Sequence, residues 1–388
     1  MFSSLSRKSL AQALLLKNVP IYVQFYITAR CNLTCQQCNI IYSNSDLREC
    51  TLPEIEMIAE NLAQLGVAIV LLTGGEPFLR HDLPEIIRAF ESRGIHVRMQ
   101  TNGLASEKQI DSVIKAGGKD ISISLDSLTP DSQDHINGGF KGTWEQAILT
   151  MGMFMERLPL KDSFASLGCV LQKDNIDDIE SVIEFGSEIG WFTSLVPTHV
   201  TQLSQPRGFR SFDEDQRFTE DYFHRVENLI ERVRAMRKEG YLLYDSDQYL
   251  DDILNFVRGE PVGWRERNGG VCDTPNLYFA ILPNGQFAPC CDHRTKSVFY
   301  TYAKDFPKTY RSKLLRQETY AVAKACEGCM YGSYPEMTIS MRFLKATLQR
   351  AHTFLSSPPP KPWPISGKQA LEIATEVRGR MQSKQKAN

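Results

Sequence analysis

The sequence lacks long apolar segments and any strong excess of charge. No apolar run in the 388 residues approaches the length that a helix needs to cross a bilayer. The run at residues 13–16, after Arg7 and Lys8, is too short for a secretory signal. A net charge of −2 gives no indication of a nucleic-acid or anionic-membrane partner. We therefore expect a cytoplasmic protein with no nucleic-acid or membrane partner.

Disulfide bonds are not expected either, because the chain is large and shows no export signal. Its ten cysteines fall into groups, and clustered cysteines in a reducing compartment more often bind metal. Cys50 and Cys169 are isolated and fit the pattern of small buried residues. The others form two groups: Cys31, Cys35, Cys38; and Cys272, Cys290, Cys291, Cys326, Cys329.

The first group has the spacing CxxxCxxC and follows an apolar run at residues 21–27 that is typical of a buried strand. Three thiolates on one loop can hold three irons of a cubane cluster and leave the fourth iron open to a ligand that is not protein. The alternatives are a zinc knuckle or ordinary buried thiols. Zinc favours four ligands in CxxC pairs, and this loop has no second pair and no nearby histidine.

This spacing resembles that of the radical S-adenosylmethionine (radical SAM) enzymes. The resemblance implies a [4Fe–4S] cluster on Cys31, Cys35 and Cys38, with S-adenosylmethionine (SAM) on the open iron. It also implies a reducing electron donor of the flavodoxin or ferredoxin type. One departure is Gln37, which stands where the family usually has an aromatic residue near the adenine of SAM.

From residue 20 to about 198, strand-like and helix-like segments alternate in six units. Such a pattern predicts an α/β fold with a parallel sheet, either open and doubly wound or a partial barrel. The family resemblance implies the second, a partial (β/α)6 TIM-like barrel. In both folds the chemistry lies at the carboxyl ends of the strands.

The end of the second predicted strand carries Gly74, Gly75, Glu76 and Pro77. Two glycines allow the backbone to pass close to a ligand, and Glu76 supplies an acceptor. By resemblance this is the GGEP motif, which binds the amino group of SAM through backbone and carboxylate. The alternative is a glycine-rich turn with no ligand.

Further polar residues follow the later strands. By resemblance Ser124 and Asp126 lie near the ribose and methionine parts of SAM, and the segment from Gln172 to Asn175 approaches SAM. Strand-end capping is the alternative for the first pair. Asn175 is equally well explained as the N-cap of the next helix.

The strand–helix alternation stops at residues 201–268. The pattern there predicts a helical bridge, with an amphipathic helix over residues 213–238.

Residues 269–340 resemble a SPASM or Twitch domain, with a β-hairpin at Asn284-Gly285. The resemblance implies one auxiliary [4Fe–4S] cluster on four cysteines: Cys272, Cys290, Cys326, Cys329. A structural zinc site is the alternative. Cys291 can replace Cys290, donate a proton or hydrogen, or have no role. Residues 341–388 comprise a helix, a proline-rich linker and a tail, without assigned chemistry.

The resemblance implies hydrogen-atom abstraction from a substrate, with the auxiliary cluster accepting or relaying an electron. About twenty residues precede the first strand, too few for a leader-binding module of a peptide maturase. A small-molecule substrate is therefore expected; a peptide maturase and a zinc-stabilised binding protein are the alternatives. No catalytic acid or base stands out among His199, His293 and Tyr278.

Overall fold

The computed structural model describes residues 4–38, 44, 46–199, 216–355 and 361–387. This part contains a sheet of eight strands in the order β6-β5-β4-β3-β2-β1-β7-β8. Strands β1 to β7 pair in parallel with their neighbours in the sheet, and β8 runs antiparallel to β7. The strands are β1 (Tyr22–Thr28), β2 (Ile69–Gly74), β3 (His96–Thr101), β4 (Asp120–Ser124), β5 (Phe164–Leu171), β6 (Phe192–Pro197), β7 (Tyr278–Ile281) and β8 (Phe287–Ala288).

Helices occupy most of the connections between strands. They are α1 (Ser4–Leu16), α2 (Leu52–Leu65), α3 (Leu83–Glu91), α4 (Glu107–Lys115), α5 (Pro130–Ile136), α6 (Thr143–Arg157), α7 (Ile179–Glu188), α8 (Glu220–Lys238), α9 (Asp247–Val257), α10 (Gly263–Glu266), α11 (Phe306–Tyr310), α12 (Lys313–Ala325), α13 (Ser333–Arg342), α14 (Leu344–Leu355) and α15 (Gly367–Ala387). Of the helices described here, none has the length and apolar character to span a bilayer.

The predicted alternation is confirmed, because each of the strands β1 to β6 is followed by at least one helix. The parallel order β1 to β6 is that of a partial TIM-like barrel, as the resemblance implied. The bridge helix predicted from residue 213 is α8, which begins at Glu220. Residues 213–215 lie outside the described part.

Local signals explain where the barrel helices begin and end, as α2 shows. Thr51 and Glu54 form a capping box at its first turn, with the Thr51 N–H donating to Glu54 Oε2 at 2.9 Å. Gly66, with φ of +83°, ends the helix. Between these ends, Ile58 and Leu62 are one turn apart and fully buried. The apolar face of α2 therefore packs in the core.

The two faces of the sheet differ, as β3 shows. Val97 and Met99 are fully buried in the apolar core, whereas Arg98 and Gln100 line a cavity. Because successive side chains of a strand point to opposite faces, the helix-covered face is apolar and the enclosed face carries polar groups. The barrel therefore surrounds a partly polar cavity, with its loops at the carboxyl ends of the strands.

The predicted hairpin is confirmed, and it extends the barrel sheet. Ala280 pairs with Ala288 across the hairpin, whose turn contains Gly285 at φ of +81°. On its other side β7 pairs in parallel with β1, with Tyr22 opposite Tyr278. The C-terminal segment that carries the second cysteine group is thereby hydrogen-bonded to the strand that carries the first.

The end of the chain packs on the outside of the barrel. Gly152 of α6 meets the backbone of Gly367 so closely that a Cβ on it would lie 2.2 Å from the Gly367 nitrogen. Trp363 Nε1 donates to Ile189 O at 2.7 Å, and Arg380 pairs with Glu184 at 3.0 Å. The predicted tail is therefore an ordered helix over Gly367–Ala387. Part of the predicted proline-rich linker, residues 358–360, lies outside the described residues.

Candidate functional site

The cysteine loop after β1 is fixed by the backbone at the end of β2. The N–H of Gly75 donates to Thr28 O and that of Glu76 to Arg30 O, both at 2.8 Å. A Cβ on Gly74 would lie 2.1 Å from Thr28 O, and one on Gly75 would lie 2.0 Å from Arg30 O. Glycine is needed for so close an approach. The glycine pair therefore sets the position of the loop.

Gly75→Ala should lower the free energy of unfolding of the cluster-free protein by about 3 kcal/mol, because the new Cβ must displace the Arg30 carbonyl. Gly240→Ala is the matched control. Gly240 has φ of +101° and no atom within 4 Å of its Cβ position, so only backbone strain of about 1–2 kcal/mol is expected. Chemical denaturation of both variants measures the difference. Equal losses would contradict the close-contact explanation.

Cys31, Cys35 and Cys38 line one cavity of about 370 Å³. Cys31 Sγ accepts from the N–H of Leu33 at 3.4 Å and lies 3.9 Å from Asn102 Nδ2. Burial raises the pKa of Cys31 to about 11 and that of Cys35 well above its usual value. These two thiols are therefore neutral by themselves, and metal binding would release their protons.

The donor set of this loop fits a cubane cluster. In the described part of the chain, no three His, Cys, Asp or Glu side chains converge closely enough to bind a single metal ion. A cubane instead takes each thiolate on a different iron. Three sulfurs around one cavity meet that requirement, and the amides of Asn102 and Asn137 line the same cavity.

Glu76 joins the ends of β2 and β3. It is 1% exposed, and its carboxylate accepts from Phe78 N at 3.0 Å, Thr101 Oγ1 at 2.8 Å and Asn102 N at 2.8 Å. Burial raises its pKa to about 7. Of the GGEP motif, the two glycines line the cavity, whereas Glu76 and the proline after it lie behind its wall. Glu76 therefore holds together two loops that border the cavity.

Three further residues predicted from the resemblance reach the same cavity: Gln37, Ser124 and Asp126. Asp126 Oδ2 accepts from Gln37 Nε2 at 2.9 Å, and its Oδ1 accepts from Val170 N at 2.6 Å. Burial raises the pKa of Asp126 to about 7. This carboxyl group connects the cysteine loop to the ends of β4 and β5.

Gln172 and Asn175 are buried outside the cavity wall. Asn175 Nδ2 donates to Asp126 O at 2.7 Å and Val170 O at 2.8 Å, and its Oδ1 accepts from Gln172 N at 2.9 Å. The prediction that Asn175 opens the next helix is wrong, because α7 begins at Ile179 with Asp178 as its N-cap. The amide of Asn175 instead satisfies backbone groups where two strands end.

The second group of cysteines lines a separate, smaller cavity of about 30 Å³. Four thiols contribute to its wall: Cys272, Cys290, Cys326 and Cys329. Cys291 lines the barrel cavity instead. The two residues are adjacent in a bend and their thiols are hydrogen-bonded to each other, so the pair lies at the boundary between the two cavities.

A hydrogen bond and an ion pair hold the segments around the smaller cavity. Arg265 Nη2 donates to Cys326 O at 2.6 Å, and Arg342 pairs with the buried Asp273 at 2.5 Å. Burial raises the pKa of Cys272 to about 12. Four sulfurs are the right number of ligands for either a cubane cluster or a zinc ion. Their placement around a cavity is what a cluster requires.

The three residues considered as acids or bases are divided between the cavities. His199 lines the barrel cavity and stacks on Tyr331 with ring centroids 4.0 Å apart. His293 and Tyr278 line the smaller cavity. Burial lowers the pKa of His293. Tyr278 Oη accepts from Asp273 N at 3.1 Å.

Sequence reasoning missed the opposite end of the barrel cavity, which is lined by Arg98, Asp120, Tyr244 and Glu336. The signal in β3 was present, because polar and apolar residues alternate over residues 96–100. Tyr244 and Glu336 gave no such signal, because tertiary packing brings their distant segments to the cavity.

Comparison with known proteins agrees with this arrangement. Residues 25–186 match the family model of the Radical SAM superfamily. The chain is 32% identical over 174 residues to a PqqA peptide cyclase of Ruegeria pomeroyi, covering 44% of this chain and 45% of that protein. It is 29% identical over 271 residues to a probable GTP 3′,8-cyclase of Archaeoglobus fulgidus, covering 68% of this chain and 83% of that protein.

The fold is similar to that of Streptococcus suis SuiB bound to its precursor peptide SuiA, with a TM-score of 0.61 and 18% identity. That match covers 87% of this chain and 80% of SuiB. The match to the peptide cyclase spans less than half of that relative's length. Residues 25–186 are therefore similar to the Radical SAM superfamily, whose enzymes use a [4Fe–4S] cluster and SAM.

Proposed function

We propose that this protein abstracts a hydrogen atom from a small molecule held in the barrel cavity. The observation that carries the proposal is that Cys31, Cys35 and Cys38 line the same cavity as Ser124 and Asp126. A cluster on these thiolates, with SAM, would supply a 5′-deoxyadenosyl radical after one-electron reduction.

The remaining task of the chain is to position groups and exclude water. The glycine pair at the end of β2 fixes the cysteine loop, and the Gln37–Asp126 hydrogen bond fixes the segment between the second and third cysteine. Tyr331 and Met337, from the C-terminal part of the chain, line the cavity opposite the barrel strands. Their side chains would keep bulk water from a reactive carbon.

The proposal includes an auxiliary [4Fe–4S] cluster on the four thiols of the smaller cavity. In this proposal Cys290 is the ligand and Cys291 is not, because Cys290 lines that cavity and Cys291 lines the barrel cavity. One peptide unit separates the two side chains, so the auxiliary site is close to a substrate in the barrel. That closeness favours an auxiliary cluster that takes an electron from the substrate radical, and hence a net oxidation.

The proposed domains are the barrel at residues 20–200, a helical bridge at 201–268, the auxiliary domain at 269–340 and the C-terminal segment at 341–388. The pairing of β7 with β1 supports a close connection between barrel and auxiliary domain. The electron donor would be a flavodoxin or ferredoxin. All ten cysteines are free thiols, which suits the reducing cytoplasm.

A small-molecule substrate is supported by the limited size of the cavity, about 370 Å³, because the cluster and SAM would occupy part of the same space. A peptide substrate is the second candidate. It is favoured by the similarity to SuiB, which was solved with a precursor peptide, and to the PqqA peptide cyclase.

Extract fractionation would distinguish the two substrate classes. Reconstituted, dithionite-reduced protein with SAM should form 5′-deoxyadenosine faster when the low-molecular-mass fraction of an extract of its source cells is added. Protease treatment of that fraction should leave the stimulation unchanged. Stimulation that protease destroys would favour the peptide candidate, and stimulation by neither the small-molecule nor the peptide fraction would contradict the proposal.

A further inference from the structure

The barrel cavity has a cationic group at the end far from the cysteine loop. Arg98 lies three residues before the end of β3 at Thr101, which places it about 10 Å below the strand ends. Its side chain is 18% exposed and lines the cavity. Arg98 is therefore set back from the cysteine loop and is available to a second ligand.

Packing holds the guanidinium of Arg98 in a defined orientation. The rings of Phe164 and Tyr244 lie 5.5 Å and 5.4 Å from its central carbon. Its Nη2 donates to Ser166 Oγ at 2.8 Å. A guanidinium that is already oriented loses little freedom when it binds a planar or tetrahedral oxyanion.

The nearby carboxylates make no direct hydrogen bond with the guanidinium of Arg98. The closest approach of Asp120 to Arg98 is 3.7 Å, from Oδ1 to Nε, which is longer than a hydrogen bond. The other oxygen of Asp120 lies 2.9 Å from His96 Nε2. Glu336, a further acid of the cavity wall, pairs with Arg350. Besides its hydrogen bonds with Ser166 and Tyr244, the five-donor guanidinium of Arg98 retains capacity for a direct charge-assisted hydrogen bond.

Apart from Asp120 and Glu336, the walls next to Arg98 are mainly aromatic and aliphatic. Tyr22, Leu71 and Phe164 line the cavity with it, as does Tyr244. Such walls accept an apolar body, whereas the guanidinium accepts a negative group at the end of that body.

We propose that Arg98 is the anchor of an oxyanion subsite, which binds a carboxylate or phosphate of the substrate and so directs the apolar part of that substrate toward the cysteine loop. This inference rests on the proposed function, because it takes the molecule bound by Arg98 to be the substrate. Arg98 would act through binding and positioning and would take no part in bond breaking.

Binding of simple probes to the reconstituted, unreduced protein with SAM tests the subsite. Benzoate and phenyl phosphate carry the two oxyanions, and benzamide is the neutral comparison for benzoate. Ligand-observed NMR titration should show at least about tenfold tighter binding of one anion than of benzamide, as expected for a charge-assisted hydrogen bond. The tighter of the two anions identifies the oxyanion class.

Arg98→Gln should abolish this preference, and Arg98→Lys should retain part of it because the charge remains. Arg88→Gln, on the exposed face of α3, is the control and should bind like the parent. Should Arg98→Gln leave Asp120 uncompensated and fail to fold, the double variant Arg98→Gln/Asp120→Asn removes both charges. A parent protein without the preference, or a folded variant without Arg98 that retains it, would overturn the proposal. Because no reductant is present, neither result depends on whether 5′-deoxyadenosine is formed.

Discussion

Replacing Cys35 with alanine should abolish formation of 5′-deoxyadenosine and lower the iron content of the reconstituted protein from about eight to about four atoms per chain. With two thiolates left on the loop, a second iron loses its protein ligand and the cubane is no longer held. The four thiols of the smaller cavity are untouched, so their iron should remain. Anaerobic iron and sulfide analysis and chromatography of the SAM products measure both effects.

Cys50→Ala is the matched control for this variant. Cys50 is buried and lines neither the barrel cavity nor the smaller one. Its replacement should leave both iron content and 5′-deoxyadenosine formation near those of the parent. Parent-like activity of Cys35→Ala would contradict the assignment of the loop as cluster ligand, and zinc without iron in the parent would contradict the radical chemistry altogether.

Cys290→Ser and Cys291→Ser should differ sharply, although the two residues are adjacent. Cys290→Ser should lower iron to about four atoms per chain, because a cubane that loses a thiolate from a four-cysteine site is poorly held. Cys291→Ser should retain about eight. The reason is that Cys290 lines the smaller cavity and Cys291 lines the barrel cavity.

Iron analysis of the two variants, with electron paramagnetic resonance after reduction, separates the outcomes. Both should still cleave SAM, since the N-terminal cysteines are unchanged. Loss of iron from Cys291→Ser with normal iron in Cys290→Ser would reverse the assignment. About four iron atoms per chain in the parent and in both variants would mean that the smaller cavity holds no cluster.

Local patterns in the sequence were sufficient to predict several strands and helices. The strand at residues 21–27 and the hairpin at Asn284-Gly285 depend on neighbours within a few residues. The structure has β1 and β7–β8 at these places. The start of α7 was misplaced, because an asparagine that caps a helix and one that bonds to strand ends have the same local sequence signature.

The sequence by itself determined the α/β class, the six strand–helix units and the cysteine spacing that places three thiols on one loop, since each is set by short-range periodicity and loop chemistry. Tertiary structure alone decided that β7 joins β1, that Glu76 is enclosed by backbone donors, and that Cys290 and Cys291 face different cavities. It also decided that Arg98 meets Tyr244 and Phe164. These contacts join residues far apart in the chain, and which of them form depends on how the whole sheet curls and which helices cover it.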